Sequence, residues 1–197
     1  MRPRARALVG LAAAAAVVGG FVSAGSPDQT AGAATASTAM PTGPVVSNGT
    51  TWTPSYSQNF TTDAARDRVA GYKLAFLLWP TSDDWSDGEI DWPDGNLAGA
   101  IYPASKVVGS STNAFDGPSH DVTSNMGTGW HTAVTERTKG TVRWYLDGKL
   151  VGQTTNAAGV PTKPMRWTLQ VETNTDGKAV SASAQGYVQV AWFVQYR

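Results

Sequence analysis

The chain has no cysteine, no net charge and no apolar run long enough to span a bilayer, and each absence removes a class of protein. Without cysteine there is neither a lipid-anchored lipoprotein nor a disulfide framework, so an exported domain must depend on its core. Fifteen basic residues balance fifteen acidic ones, which argues against nucleic acid, a partner that calls for a basic face. No stretch repeats its apolar residues every 3.6 positions over more than two turns, and there is no internal repeat. A length of 197 residues suits one domain.

The N-terminus stands apart. Arg2, Arg4 and Arg6 precede an apolar run from Ala7 to Val22, broken by Gly19-Gly20 and followed by Ser23, Ala24 and Gly25. Charged, apolar, then small is the order of a secretory signal, expected over residues 1–24, and the run is short for a spanning helix. Cleavage is expected after Ala24, with Ala33 as the rival. The protein is thus expected to be secreted and extracellular, with no membrane contact once the leader is gone. Residues 25–53 are mostly Ala, Ser, Thr, Gly and Pro and read as a flexible linker. The folded domain is expected over 54–197.

Beyond Trp52, runs rich in Val, Thr, Trp and Tyr alternate with the dipeptides Asp87-Gly88, Asp94-Gly95, Asp116-Gly117, Asp147-Gly148 and Asp176-Gly177. This pattern predicts strands over Lys73–Trp79, Gly88–Trp92, Ala98–Tyr102, His131–Arg137, Thr141–Leu146, Lys149–Thr154, Met165–Val171 and Tyr187–Tyr196. Thr62–Arg68 has room for a single helical turn. The fold class is all-β, an antiparallel two-sheet sandwich.

One strand carries chemistry. Glu89, Asp91 and Asp94 lie within six residues. Glu89 and Asp91 share a face of an extended strand, with Ile90 and Trp92 on the other. Asp94 sits at an odd offset from Glu89 and joins that face only through a bulge, which Pro93 fits. Three acids in a row suit retaining glycoside hydrolysis, in which two carboxyl groups stand roughly 5–5.5 Å apart. A middle acid between them raises the proton affinity of the site. Two alternatives stay open on spacing alone: a solvated acidic surface, and a cation site, although calcium prefers six to eight oxygens converging from loops.

Leu77-Leu78-Trp79-Pro80, Trp85 and Gly88-Glu89-Ile90-Asp91-Trp92-Pro93-Asp94-Gly95 together resemble the active-site strand of glycoside hydrolase family 16. Trp130-His131-Thr132 to Glu136, Val142 to Gly148, Pro164-Met165 and Tyr187 to Trp192 are similar to its later strands, so the resemblance runs from about Gly71 to Arg197. It implies a concanavalin-like jelly roll, a β-linked polysaccharide as partner, and no catalytic cofactor or metal. A structural calcium occurs in relatives, but no ligand cluster stands outside the acidic strand. The resemblance makes Glu89 the nucleophile, Asp91 the assisting acid and Asp94 the acid/base. Trp85 is then a platform for stacking a sugar ring, and Trp79 more a structural residue. Gln170 is a candidate for sugar hydroxyls. His131 is a candidate hydrogen-bond partner of the acids, against the commoner role of a satisfied structural histidine.

Two departures from the family bear on activity. The acid/base position is glutamate in the family and Asp94 here, which withdraws the carboxyl by roughly 1.5 Å, one C–C bond. The segment between Phe60 and Gly71 is also shorter than the several strands the family places there. The resemblance is thus to an N-terminally shortened member, with strand edges and apolar faces left open to self-association. Besides a hydrolase, a non-catalytic, lectin-like carbohydrate-binding module and an internally deleted remnant fit the same residues.

Overall fold

The computed structural model describes residues 15–18, 40–59, 70–110, 115–116, 130–173, 179–184, 188, 190 and 192–197. Within them lie thirteen strands: β1 (Ala15–Val18), β2 (Val45–Ser47), β3 (Thr50–Trp52), β4 (Pro54–Asn59), β5 (Tyr72–Pro80), β6 (Ile90–Asn96), β7 (Ile101–Lys106), β8 (Phe115–Asp116), β9 (Ala133–Thr138), β10 (Thr141–Leu146), β11 (Lys149–Thr154), β12 (Met165–Thr173) and β13 (Trp192–Tyr196). A six-stranded back sheet runs β11-β10-β9-β1-β13-β4, and a five-stranded front sheet runs β12-β5-β6-β7-β8. Every pairing between neighbours is antiparallel.

The period-two pattern explains the layering. In β10, Val142, Trp144 and Leu146 are buried, while Arg143 and Tyr145 between them are only partly so. The buried set meets Leu78, Ile90, Trp92 and Ile101 of the front sheet to form the main core. Asp147-Gly148 closes the β10–β11 hairpin with both residues at positive φ, 48° and 77°, as an Asp-Gly turn should. On the other face of the back sheet, Val134, Trp192, Val194 and Tyr196 form a second cluster. The β2–β3 hairpin covers it and inserts Trp52.

That hairpin corrects the linker expectation. Residues 45–52 are strand and turn, and Trp52 is 3% exposed, because its indole finishes an apolar face the sheet would otherwise present to water. Asn48, in its turn, donates from its amide to Glu136 Oε2 at 2.9 Å and to Tyr145 Oη at 2.9 Å. The expected helical turn over Thr62–Arg68 lies outside the described residues. Asp94-Gly95 is no turn. It sits inside β6, and Gly95, at φ 132°, allows a backbone approach in which a Cβ would lie 2.3 Å from the Ala100 carbonyl oxygen.

Two further features concern the N-terminal strand and a sheet edge. Residues 15–18, from the expected leader, form β1 and pair with β9 on one side and β13 on the other. At the β12 edge of the front sheet, Leu169 and Val171 share the inward face with Trp167, yet are 42% and 50% exposed. Among the described residues, no helix is long and apolar enough to cross a membrane.

Two stability measurements follow. Deleting residues 1–24 strips β9 and β13 of their shared neighbour. With each ladder bond worth about 0.5–1.5 kcal/mol, the melting temperature is expected to fall by about 10 °C or more in calorimetry. Trp52→Ala empties the outer cluster and is expected to cost about 3–5 kcal/mol in urea unfolding.

Candidate active site

β6 is held at the middle of the front sheet, between β5 and β7. Ile90 and Trp92 face the core, and Trp92 Nε1–H donates to the Tyr145 carbonyl across the sandwich at 2.9 Å. That anchor turns the alternate residues, Glu89 and Asp91, to the outer face. From Asp91 to Asp94 the strand advances three residues while β5 advances two, Leu77 to Ala75, and β7 also two, Ala104 to Tyr102. One extra residue is therefore accommodated against both neighbours, the bulge that Pro93 suggested, and the Trp92–Pro93 peptide within it is cis. Glu89, Asp91 and Asp94 consequently line one open cleft.

The register lays out the cleft floor in rows. Gln170, Ala75, Asp94 and Tyr102 stand side by side across β12, β5, β6 and β7. Thr168, Leu77, Asp91 and Ala104 form the next row. Ala75, Leu77 and Ala104 thus flank the acids directly, with Tyr102 beside Asp94, and the polar Gln170 and Thr168 stand a strand away. Lys73 and Glu172 close one end as an ion pair at 2.8 Å. At the other end Trp79 lines the cleft, its Nε1–H donating to Asp83 Oδ1 at 3.1 Å, with Arg166 paired to the same carboxylate. Trp79 therefore serves the cleft, where a structural role was expected.

The three carboxyl groups are not equivalent. Asp91 is 3% exposed and pushed well above the usual carboxylate range, first by burial and then by the charge and hydrogen bond of Glu89. Its surroundings therefore favour the protonated form, which can donate to Glu89. Asp94 is pushed up to about 6 by burial, against the pull of Lys73 and of the Gly95 backbone N–H; Glu89 and Glu172 push upward as well. Tyr102, its neighbour on β7, is raised by burial and by Asp94. Glu89 Oε2 also accepts a hydrogen bond from Trp85 Nε1.

Trp85 owes its place to a 3-10 turn over Trp85–Asp87, capped by the Asp84 side chain on Ser86 N–H at 2.9 Å. Asp87 ties the turn down through Ser82 Oγ at 2.6 Å and Lys163 Nζ at 2.7 Å. The expected stacking platform is thus also a hydrogen-bond donor to Glu89. Gln170 is exposed and lines the cleft. His131 is not brought to the acids: its Nδ1 meets Asp147 Oδ2 at 2.8 Å beside the β10–β11 turn, and Asp147 Oδ1 accepts the Thr132 N–H. Sequence reasoning missed Lys73, Tyr102, Arg166 and Glu172, whose places depend on strand register. Among the described residues no group of three or more His, Cys, Asp or Glu side chains is arranged to hold a metal.

No family model matches the sequence, and no curated protein does. Solved structures do match. The laminarinase catalytic domain of Thermotoga maritima superposes with a TM-score of 0.53 at 16% identity, covering 79% of this chain and 74% of that one. The endo-1,3-beta-glucanase (laminarinase) catalytic domain of Thermotoga petrophila gives 0.52 at 14% identity, covering 93% and 76%. Bacillus licheniformis beta-glucanase gives 0.50 at 17% identity, and the chain spans 68% of its own length but only 62% of that enzyme. The likeness is one of fold: an all-β sandwich of the jelly-roll type found in these glucanases.

Proposed function

We propose that this chain is an exported glycoside hydrolase of the family 16 type that cleaves a β-glucan-like polysaccharide with retention of configuration. The observation that carries the reading is three acids brought to one cleft by one bulged strand, with Trp85 Nε1–H donating to Glu89 and burial pushing Asp94 up to about 6. A general acid must hold a proton at the working pH, and a nucleophile must be ionised and aimed.

In the first step a Glu89 oxygen attacks the anomeric carbon as the glycosidic C–O bond breaks, and the Asp94 proton passes to the departing oxygen. In the second, Asp94 takes a proton from water, the water oxygen attacks the same carbon, and Glu89 is released. Asp91 keeps its proton throughout and steadies the charge on Glu89. Trp79 and Trp85 offer apolar faces to sugar rings, with Gln170 and Thr168 positioned for hydroxyls.

The test is reducing-sugar release from laminarin and lichenan. Glu89→Gln is expected to lower kcat by a factor of about 10³ or more. Release that is absent in the wild type, or unchanged in this variant, rejects the proposal. Because Asp94 must enter protonated, kcat/KM is expected to fall as pH rises through about 6. Lys73 holds Asp94 down, so Lys73→Met is expected to move that basic limb to higher pH.

A further inference from the structure

Lys106 is fully buried on the cleft side of the front sheet, and the mechanism above has no use for it. Among the described residues its side chain meets no carboxylate. Nζ donates to the Ser110 carbonyl at 2.5 Å, with the Val107 carbonyl at 3.5 Å. It also stands 4.3 Å from the centroid of the Trp85 ring. Burying a lysine head without an opposite charge is unfavourable, and the face of an indole is one of few surroundings that offset it.

The placement has a direction. Trp85 lines the cleft, and its indole edge points its N–H at Glu89 Oε2. The Lys106 backbone N–H donates to the Glu89 carbonyl at 2.8 Å. One residue therefore reaches the nucleophile twice, through its backbone and through Trp85. A cation over an aromatic ring also draws density from it, which strengthens the ring N–H as a donor.

We propose that Lys106 is a positioning residue for the nucleophile: its ammonium clamps the Trp85 indole so that Nε1–H stays directed at Glu89. This rests on Glu89 being the nucleophile, but the clamp itself can be read without turnover. A purely structural lysine would instead tether the 107–110 loop through Ser110, and the variants separate the two roles. Lys106→Met loses charge and tether, Lys106→Gln keeps a donor for the Ser110 carbonyl but no charge, and Lys106→Arg keeps the charge.

The experiment is a 15N–1H spectrum of the full chain, with the Trp85 indole resonance assigned by its loss in Trp85→Phe, beside kcat and KM on laminarin. Both Lys106→Met and Lys106→Gln are expected to move the Trp85 resonance upfield and speed its solvent exchange, with Lys106→Arg restoring both. The two uncharged variants are expected to lose about 10- to 100-fold in kcat, with KM held within about twofold. A Trp85 resonance unchanged in folded Lys106→Gln overturns the clamp, whatever the activity. If the wild type releases no sugar but the resonance moves, the hydrolase reading fails and the clamp stands.

Discussion

A single extra residue between Asp91 and Asp94 organises the candidate site. A regular strand would send Asp94 into the core, where Ile90 and Trp92 pack, and leave two acids outside. The bulge turns it to the cleft, and both neighbouring strands accommodate the shift at the same place. The inward side of the strand is fixed independently by the Trp92 hydrogen bond to Tyr145 of the back sheet. The placement of the acids and core packing are therefore one constraint seen from two faces of β6.

Burial then divides the labour among acids that repel one another. The apolar floor made by Ala75 and Leu77 withholds water, so ionising all three would be costly. Burial pushes Asp91, the most enclosed, well above the usual carboxylate range, and lifts Asp94, between Lys73 and the other acids, to about 6. Glu89 is more exposed and receives the donors. The same sequence spacing on a solvated loop would have left three ordinary carboxylates.

Much of this was legible in the sequence because it rests on local patterns. Period two placed Glu89 and Asp91 together, Pro93 signalled the bulge, and Asp147-Gly148 marked its hairpin. What was not legible depends on partners distant in the chain. Lys73, Tyr102, Arg166 and Glu172 enter the cleft through the registers of β5, β7 and β12, which no local pattern states. His131 looked like a neighbour of the acids, but Asp147 lies within reach and takes its ring. The segment before Trp52 has the composition of a linker, yet a hairpin with one buried tryptophan suffices to dock it.

The shortened side chain at Asp94 bears most directly on whether the acids work as a retaining pair. The decisive measurement is the anomeric configuration of the first sugar released from laminarin, read by proton NMR before mutarotation. Attack by Glu89 followed by water predicts the β-anomer at the new reducing end. The α-anomer would mean that the carboxyls stand far enough apart for a direct attack by water, and would contradict the account.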